Sequence, residues 1–173
     1  MINTVGQFSK VSLKQFDIDM KSTFGEKYSD KETETMYNNI KLPERATTGS
    51  AGYDFFTPVD INISTGETVQ IPTGIRVKID EGWWLCCLPK SGLGFNFRLQ
   101  FDNTCGVIDS DFYFSDNEGD IQAKLTVDAK TDKTLSLQAG NKFIQAVFIP
   151  YGITYNDSTT GVRNGGLGST SLT

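Results

Sequence analysis

The chain has 173 residues, 38% of them hydrophobic and 21% charged, with 17 Gly against 5 Pro. That is the material of one domain with a real core, and too little charge for a disordered chain. The net charge of −5 excludes the broad basic surface that a sequence-blind nucleic-acid or anionic-membrane binder needs. The absence of histidine removes Ser–His–Asp and Cys–His catalysis, His-ligated zinc and an imidazole pH switch. Acid–base chemistry is left to carboxylates, Lys, Tyr, Cys or water on a metal. Cys86 and Cys87 are adjacent and Cys105 stands alone. Without a C-x-x-C pair they read as small core residues of a reducing compartment, not nucleophiles. No apolar run approaches the roughly 18 residues of a membrane span, and residues 1–10 hold no signal-peptide core. The expectation is a soluble, cytoplasmic protein.

Residues 1–39 form an N-terminal extension. Ser12-Leu-Lys-Gln15 has a capping-box pattern, and Leu13, Phe16, Met20 and Phe24 recur at helical spacing before Gly25. The spacing predicts one amphipathic helix, Leu13–Phe24. The polar stretch 26–39 reads as a linker or loop, and the extension as a docked appendage without chemistry. From Ile40 the apolar period becomes two. Ile75-Arg-Val77-Lys-Ile79 and Ile121-Gln-Ala123-Lys-Leu125-Thr-Val127 alternate as half-buried strands do. Shorter runs at 68–71, 83–88, 98–103, 135–137 and 143–149 are separated by Gly, Asp, Asn or Pro. Such spacing predicts an all-β sandwich, barrel or jelly roll spanning 40–151. The polar, Gly-rich segment 152–173 reads as a mobile tail.

Nucleotide-fold fingerprints are absent: there is no G-x-x-x-x-G-K-[ST] and no G-x-G-x-x-G. Five polar clusters stand instead at strand–turn junctions. They are Ala51-Gly-Tyr-Asp54, Pro89-Lys-Ser-Gly-Leu-Gly94, Asn103-Thr-Cys-Gly-Val-Ile-Asp109-Ser-Asp111, Gly140-Asn-Lys-Phe-Ile-Gln145 and Arg163-Asn-Gly-Gly-Leu-Gly-Ser-Thr170. Singly, each reads as an ordinary turn: Asp54 and Asp109 as Asx carboxylates, Ser91–Gly94 as a glycine turn, Gln145 as a cross-strand partner. Together they suit metal-assisted phosphoryl chemistry. Backbone N–H groups with Arg or Lys hold phosphates, one carboxylate holds Mg²⁺ through its waters, and a second activates the attacking water.

In this order and at these intervals the clusters resemble the five motifs of the trimeric dUTPase family, in its longer bacterial or phage form, over about residues 40–170. The resemblance implies a jelly-roll-like β-barrel and a homotrimer with shared active sites. It implies Mg²⁺-dependent hydrolysis of dUTP to dUMP and pyrophosphate, which limits dUTP and supplies dUMP for thymidylate synthesis. Carried over by position, Asp109 is the general base and Asp54 binds Mg²⁺ through water. Lys90, Ser91, Gly92 and Gln145 attend the phosphates. Asn103, Gly106, Val107 and Ile108 belong to the hairpin that recognises uracil, and the Phe112 ring excludes a ribose hydroxyl. Arg163, Leu167, Gly168 and Ser169 lie on a tail that closes as a lid.

Several positions depart from the family pattern. Lys90 replaces the usual Arg, Phe112 the usual Tyr, Asn141 a common Asp and Leu167 the usual Phe, and residues 114–117 lengthen the third motif. None of these removes the two carboxylates. The alternatives are a dCTP deaminase of the same fold, or a nucleotide-bound trimer acting as a regulatory switch. The latter would meet a protein partner through the extension or the third-motif insertion.

Overall fold

The computed structural model describes residues 2–128 and 133–165. Strand β1 (Gly6–Lys10) leads into helix α1 (Leu13–Phe24), and a 3-10 turn separates α1 from helix α2 (Asp30–Asn39). Eleven further strands follow: β2 (Glu44–Arg45), β3 (Tyr53–Phe56), β4 (Ile61–Ile63), β5 (Thr68–Pro72), β6 (Ile75–Ile79), β7 (Trp83–Pro89), β8 (Leu99–Phe101), β9 (Gly106–Ile108), β10 (Gln122–Val127), β11 (Leu135–Leu137) and β12 (Lys142–Pro150). A short helix α3 (Ser91–Phe97) follows β7, and a 3-10 turn, Ser110–Phe114, follows β9.

The strands pair antiparallel in the orders β2-β3-β12-β7-β9, β5-β10-β8, β11-β4 and β1-β6. Neighbours distant in sequence are joined across the molecule, giving the expected jelly-roll-like β fold. Inward positions alternate as the period-two reading requires. On β6, Ile75, Val77 and Ile79 are buried between Arg76 and Lys78; on β10, Ala123, Leu125 and Val127 are buried. Cys86 and Cys87 are buried and free. Burial pushes both thiols up, with Cys105 adding to the shift at Cys86. The core-residue reading of this pair holds.

Helix α1 starts and stops where its spacing predicts. Ser12 caps it, its Oγ accepting from the Gln15 amide at 3.1 Å. Phe16 and Met20 enter the same core cluster as Leu85, Leu125 and Phe143. The polar stretch 26–39 is not a loop. Ser29 and Glu32 close a full capping box over α2, so the extension carries two helices rather than one. Residues 6–10 form a further strand on the edge of β6.

Candidate active site

One cluster gathers at the end of β7. Asp54 on β3 lies opposite Gln145 on β12, and Gln145 lies opposite Leu88 on β7. The AGYD glycine is required here: a Cβ on Gly52 would stand 3.2 Å from Gln145 Oε1. Asp54 is only 2% exposed and accepts from two lysines, Lys90 at Oδ1 and Lys142 at Oδ2, the latter at 2.8 Å. Burial opposes its charge, but the hydrogen bonds from Lys142 and Lys90 outweigh burial and hold the carboxyl below the usual Asp range. Lys142 is the functional candidate that motif reading missed. Its signal was its place three residues before Gln145 on the strand that pairs with Asp54.

Lys90 also begins α3. The Lys90 carbonyl accepts from the amides of Leu93 and Gly94, so Ser91 and Gly92 form the exposed first turn of a seven-residue helix rather than a plain turn.

The second cluster gathers at the other end of β7. Strand β9 pairs with Leu85–Cys87. The chain leaves the sheet at Asp109, which precedes the 3-10 turn with an extended backbone. Its side chain makes no capping bond to the turn. Arg163, in the tail, donates to Asp109 Oδ2 at 2.5 Å and to Asp111 Oδ1 at 2.8 Å. With the carboxylates 45% and 55% exposed, each pair is worth at most about 1 kcal/mol, a contact readily exchanged. Phe112, on the inner side of the turn, is buried, and its ring centroid is 6.0 Å from the Arg163 guanidinium.

Between β8 and β9 the hairpin turns at Asn103 and Thr104. The Thr104 amide donates to Phe101 O and the Cys105 amide to Asn103 O. A cavity of about 490 Å³ opens beside it, lined by Gln70, Phe101, Asn103, Gly106, Gln122 and Lys124 among others. Val107 is exposed and Ile108 half-buried. Leu167, Gly168 and Ser169 lie outside the described residues.

The two clusters stand at opposite ends of β7: Ile108 lies beside Leu85, whereas Lys90 follows the last residue of the strand, Pro89. At the rise of an extended strand the backbone separation from Leu85 to Lys90 is roughly 17 Å.

This mainly β molecule thus brings two lysines to one carboxylate and an arginine to two others, in a chain without histidine. Comparison with known proteins identifies its family. The dUTPase family model matches residues 38–171. The deoxyuridine 5'-triphosphate nucleotidohydrolase of Shewanella baltica (strain OS155 / ATCC BAA-1091) is 39% identical over 118 residues, 65% of this chain and 72% of its own length. That of Lactococcus lactis subsp. lactis (strain IL1403) is 33% identical over 144 residues, 80% of this chain and 95% of its own. The crystal structure of the Streptococcus mutans dUTPase superposes with a TM-score of 0.61 at 30% identity, covering 85% of this chain and 97% of that one. The chain belongs to the dUTPase family. It is an enzyme, a dUTP nucleotidohydrolase.

No helix among the described residues is long and apolar enough to cross a membrane. Nor does any group of three or more His, Cys, Asp or Glu among them form a metal cage. Asp54 is an ionised oxygen donor, but it is buried and both its oxygens accept from lysine ammonium groups. A hydrated ion such as Mg²⁺, which takes one or two protein carboxylates and draws the rest of its shell from phosphates and water, would reach it only by displacing a lysine.

Proposed function

We propose that the chain hydrolyses dUTP to dUMP and pyrophosphate as a homotrimer, with each site drawing its residues from more than one subunit. The carrying observation is the separation along β7. Asp54, Lys90, Ser91 and Gln145 stand at one end and Asp109 at the other, so a triphosphate spans both only when a second copy supplies the missing half.

Asp109 holds a water in line with the α-phosphorus. It accepts a proton as the water oxygen bonds to phosphorus and the bond to the bridging oxygen breaks, releasing pyrophosphate. Lys90, Ser91, Gly92 and Gln145 bind the phosphate oxygens. Asn103, Gly106, Val107 and Ile108 supply the hairpin that receives the base, and Phe112 presents the ring face that excludes a 2′-hydroxyl. Asp54 would hold Mg²⁺ through water on exchange of a lysine contact. That ion, when bound, neutralises triphosphate charge and fixes its shape. Arg163 leaves Asp109 for the phosphates as the tail, with Leu167, Gly168 and Ser169, closes over substrate. The weakness of its exposed ion pairs supports such an exchange. The setting is cytoplasmic.

The test is pyrophosphate release from dUTP, UTP, dCTP and dTTP, with and without Mg²⁺, alongside sedimentation of the protein. Selective, Mg²⁺-dependent turnover of dUTP by a trimer is expected. Turnover by a monomer, or equal rates on dUTP and UTP, overturns the reading.

A further inference from the structure

Behind the catalytic turn lies a chain of contacts that none of the five motifs accounts for. Arg76, mid-strand on β6, donates through Nη2 to the Tyr113 carbonyl at 2.5 Å, and its guanidinium lies 3.7 Å from the centroid of the Tyr113 ring. Its other terminal nitrogen is 3.7 Å from Glu118. Glu118 in turn accepts from both Ser12 groups, the amide at 2.8 Å and the hydroxyl at 2.6 Å. Those hydrogen bonds hold the Glu118 carboxyl below its usual range against the opposing effect of burial. Ser12 is the N-cap of α1.

The loop is shaped for this contact. Glu118 and Gly119 both have positive φ, +54° and +72°. A Cβ on Gly119 would stand 2.7 Å from Phe112 O and 2.9 Å from Tyr113 Cα, so the returning chain packs directly on the back of the turn. One residue further, Asp120 is buried, and both its carboxyl oxygens lack a hydrogen-bond partner. The extension therefore reaches the third-motif loop through the Ser12–Glu118 pair.

The turn needs such support. It is a 3-10 segment of only five residues, held by hydrogen bonds from Phe112 N to Asp109 O at 3.2 Å and from Ser115 N to Phe112 O at 3.0 Å. It carries Asp109 at its start and Asp111 inside it. A guanidinium that both hydrogen-bonds the backbone and stacks on the ring fixes position and direction together, in a setting only 18% exposed.

We infer that Arg76, locked by Glu118 and the Ser12 cap of the N-terminal extension, is a positioning residue that sets the orientation of the Asp109 carboxylate. The inference rests on Asp109 being the general base. The extension is thus part of the catalytic apparatus and not only a docked appendage. A misplacement of about 1 Å at a reacting group costs on the order of a hundredfold in rate.

The experiment is a double-mutant cycle on the full chain. Arg76→Met is expected to lower kcat about 10- to 100-fold while KM for dUTP stays within about threefold. Arg76→Lys, which keeps charge but loses the planar fork, restores part of the rate. In an Asp109→Asn background the Arg76→Met change has little further effect, because the group it orients is gone. Should Arg76→Met not fold, Glu118→Gln replaces it, with a smaller loss of kcat that also vanishes in the Asp109→Asn background. Unchanged kcat, or an equal loss in both backgrounds, overturns the inference. Full activity of Asp109→Asn alone overturns the general-base reading instead, so the two failures are distinguishable.

Discussion

Arg163 and Asp109, 54 residues apart in sequence, are joined by a 2.5 Å hydrogen bond that brings the tail onto the proposed catalytic carboxylate. The same guanidinium also holds Asp111, so one arginine covers both carboxylates that follow β9.

Replacing Asp109 with Asn keeps the size of the side chain and removes the proton acceptor. kcat should fall by a factor of at least about 10² while a non-hydrolysable dUTP analogue still binds. Single-turnover kinetics and calorimetry check this, and near-normal turnover would remove Asp109 from its role.

Ending the chain after Gly161 removes Arg163 but none of the described core. The expected product is a folded protein that has lost most of its kcat/KM. Circular dichroism and steady-state rates read the two effects separately. Undiminished activity would exclude a lid.

Asp120 makes the opposite demand on pH from Asp54. Burial, and then the neighbouring Asp19, raise its carboxyl well above the usual Asp range. An acid raised by folding stays protonated in the native state while its unfolded counterpart ionises. It therefore costs stability increasingly as pH climbs from about 4, the unfolded value, toward the folded one. Asp120→Asn removes that cost. It should raise Tm at pH 8 by about 2–4 °C, the equivalent of roughly 1 kcal/mol in a chain of this size, with little change at pH 4. A drop in Tm at pH 8 would refute this.

Asp54 is held down by its two lysines, so its stabilisation is present above the unfolded value of about 4 and is lost as pH falls through the depressed folded value. Asp54→Ala leaves two partly exposed ammonium groups without their carboxylate and should cost about 1–3 kcal/mol by urea denaturation, since water can take up the freed lysines. A loss below about 1 kcal/mol would mean that the lysines find other partners.

Phe16 is fully buried although it belongs to the extension. Phe16→Ala should therefore cost about 3–5 kcal/mol, as a core truncation does. A change near zero would make the extension dispensable to the fold.

Much of this was legible in the sequence for identifiable reasons. Helix α1 carries its cap and four apolar residues at regular spacing, so its limits could be read directly. Strands β6 and β10 alternate cleanly because one face of each is buried. Helix α2 was missed because Thr33 is its one fully buried residue; Ser29-Asp-Lys-Glu32 was the available signal. Strand β1 has only five residues and pairs on one side, against β6. The candidate carboxylates could be named from their motifs, but not the second lysine on Asp54. Nor could the Ser12–Glu118 bond be read, since it joins positions 106 apart through a loop whose backbone conformation no periodicity encodes.

The gap along β7 has a genetic counterpart. Under the proposed sharing of sites between subunits, a subunit lacking Asp109 and a subunit lacking Lys90 would each assemble only dead enzyme, yet each retains the half that the other has lost. Coexpressed or mixed after dissociation, the two defective parents should regain turnover by complementation, an outcome closed to any enzyme whose working parts all reside within one polypeptide.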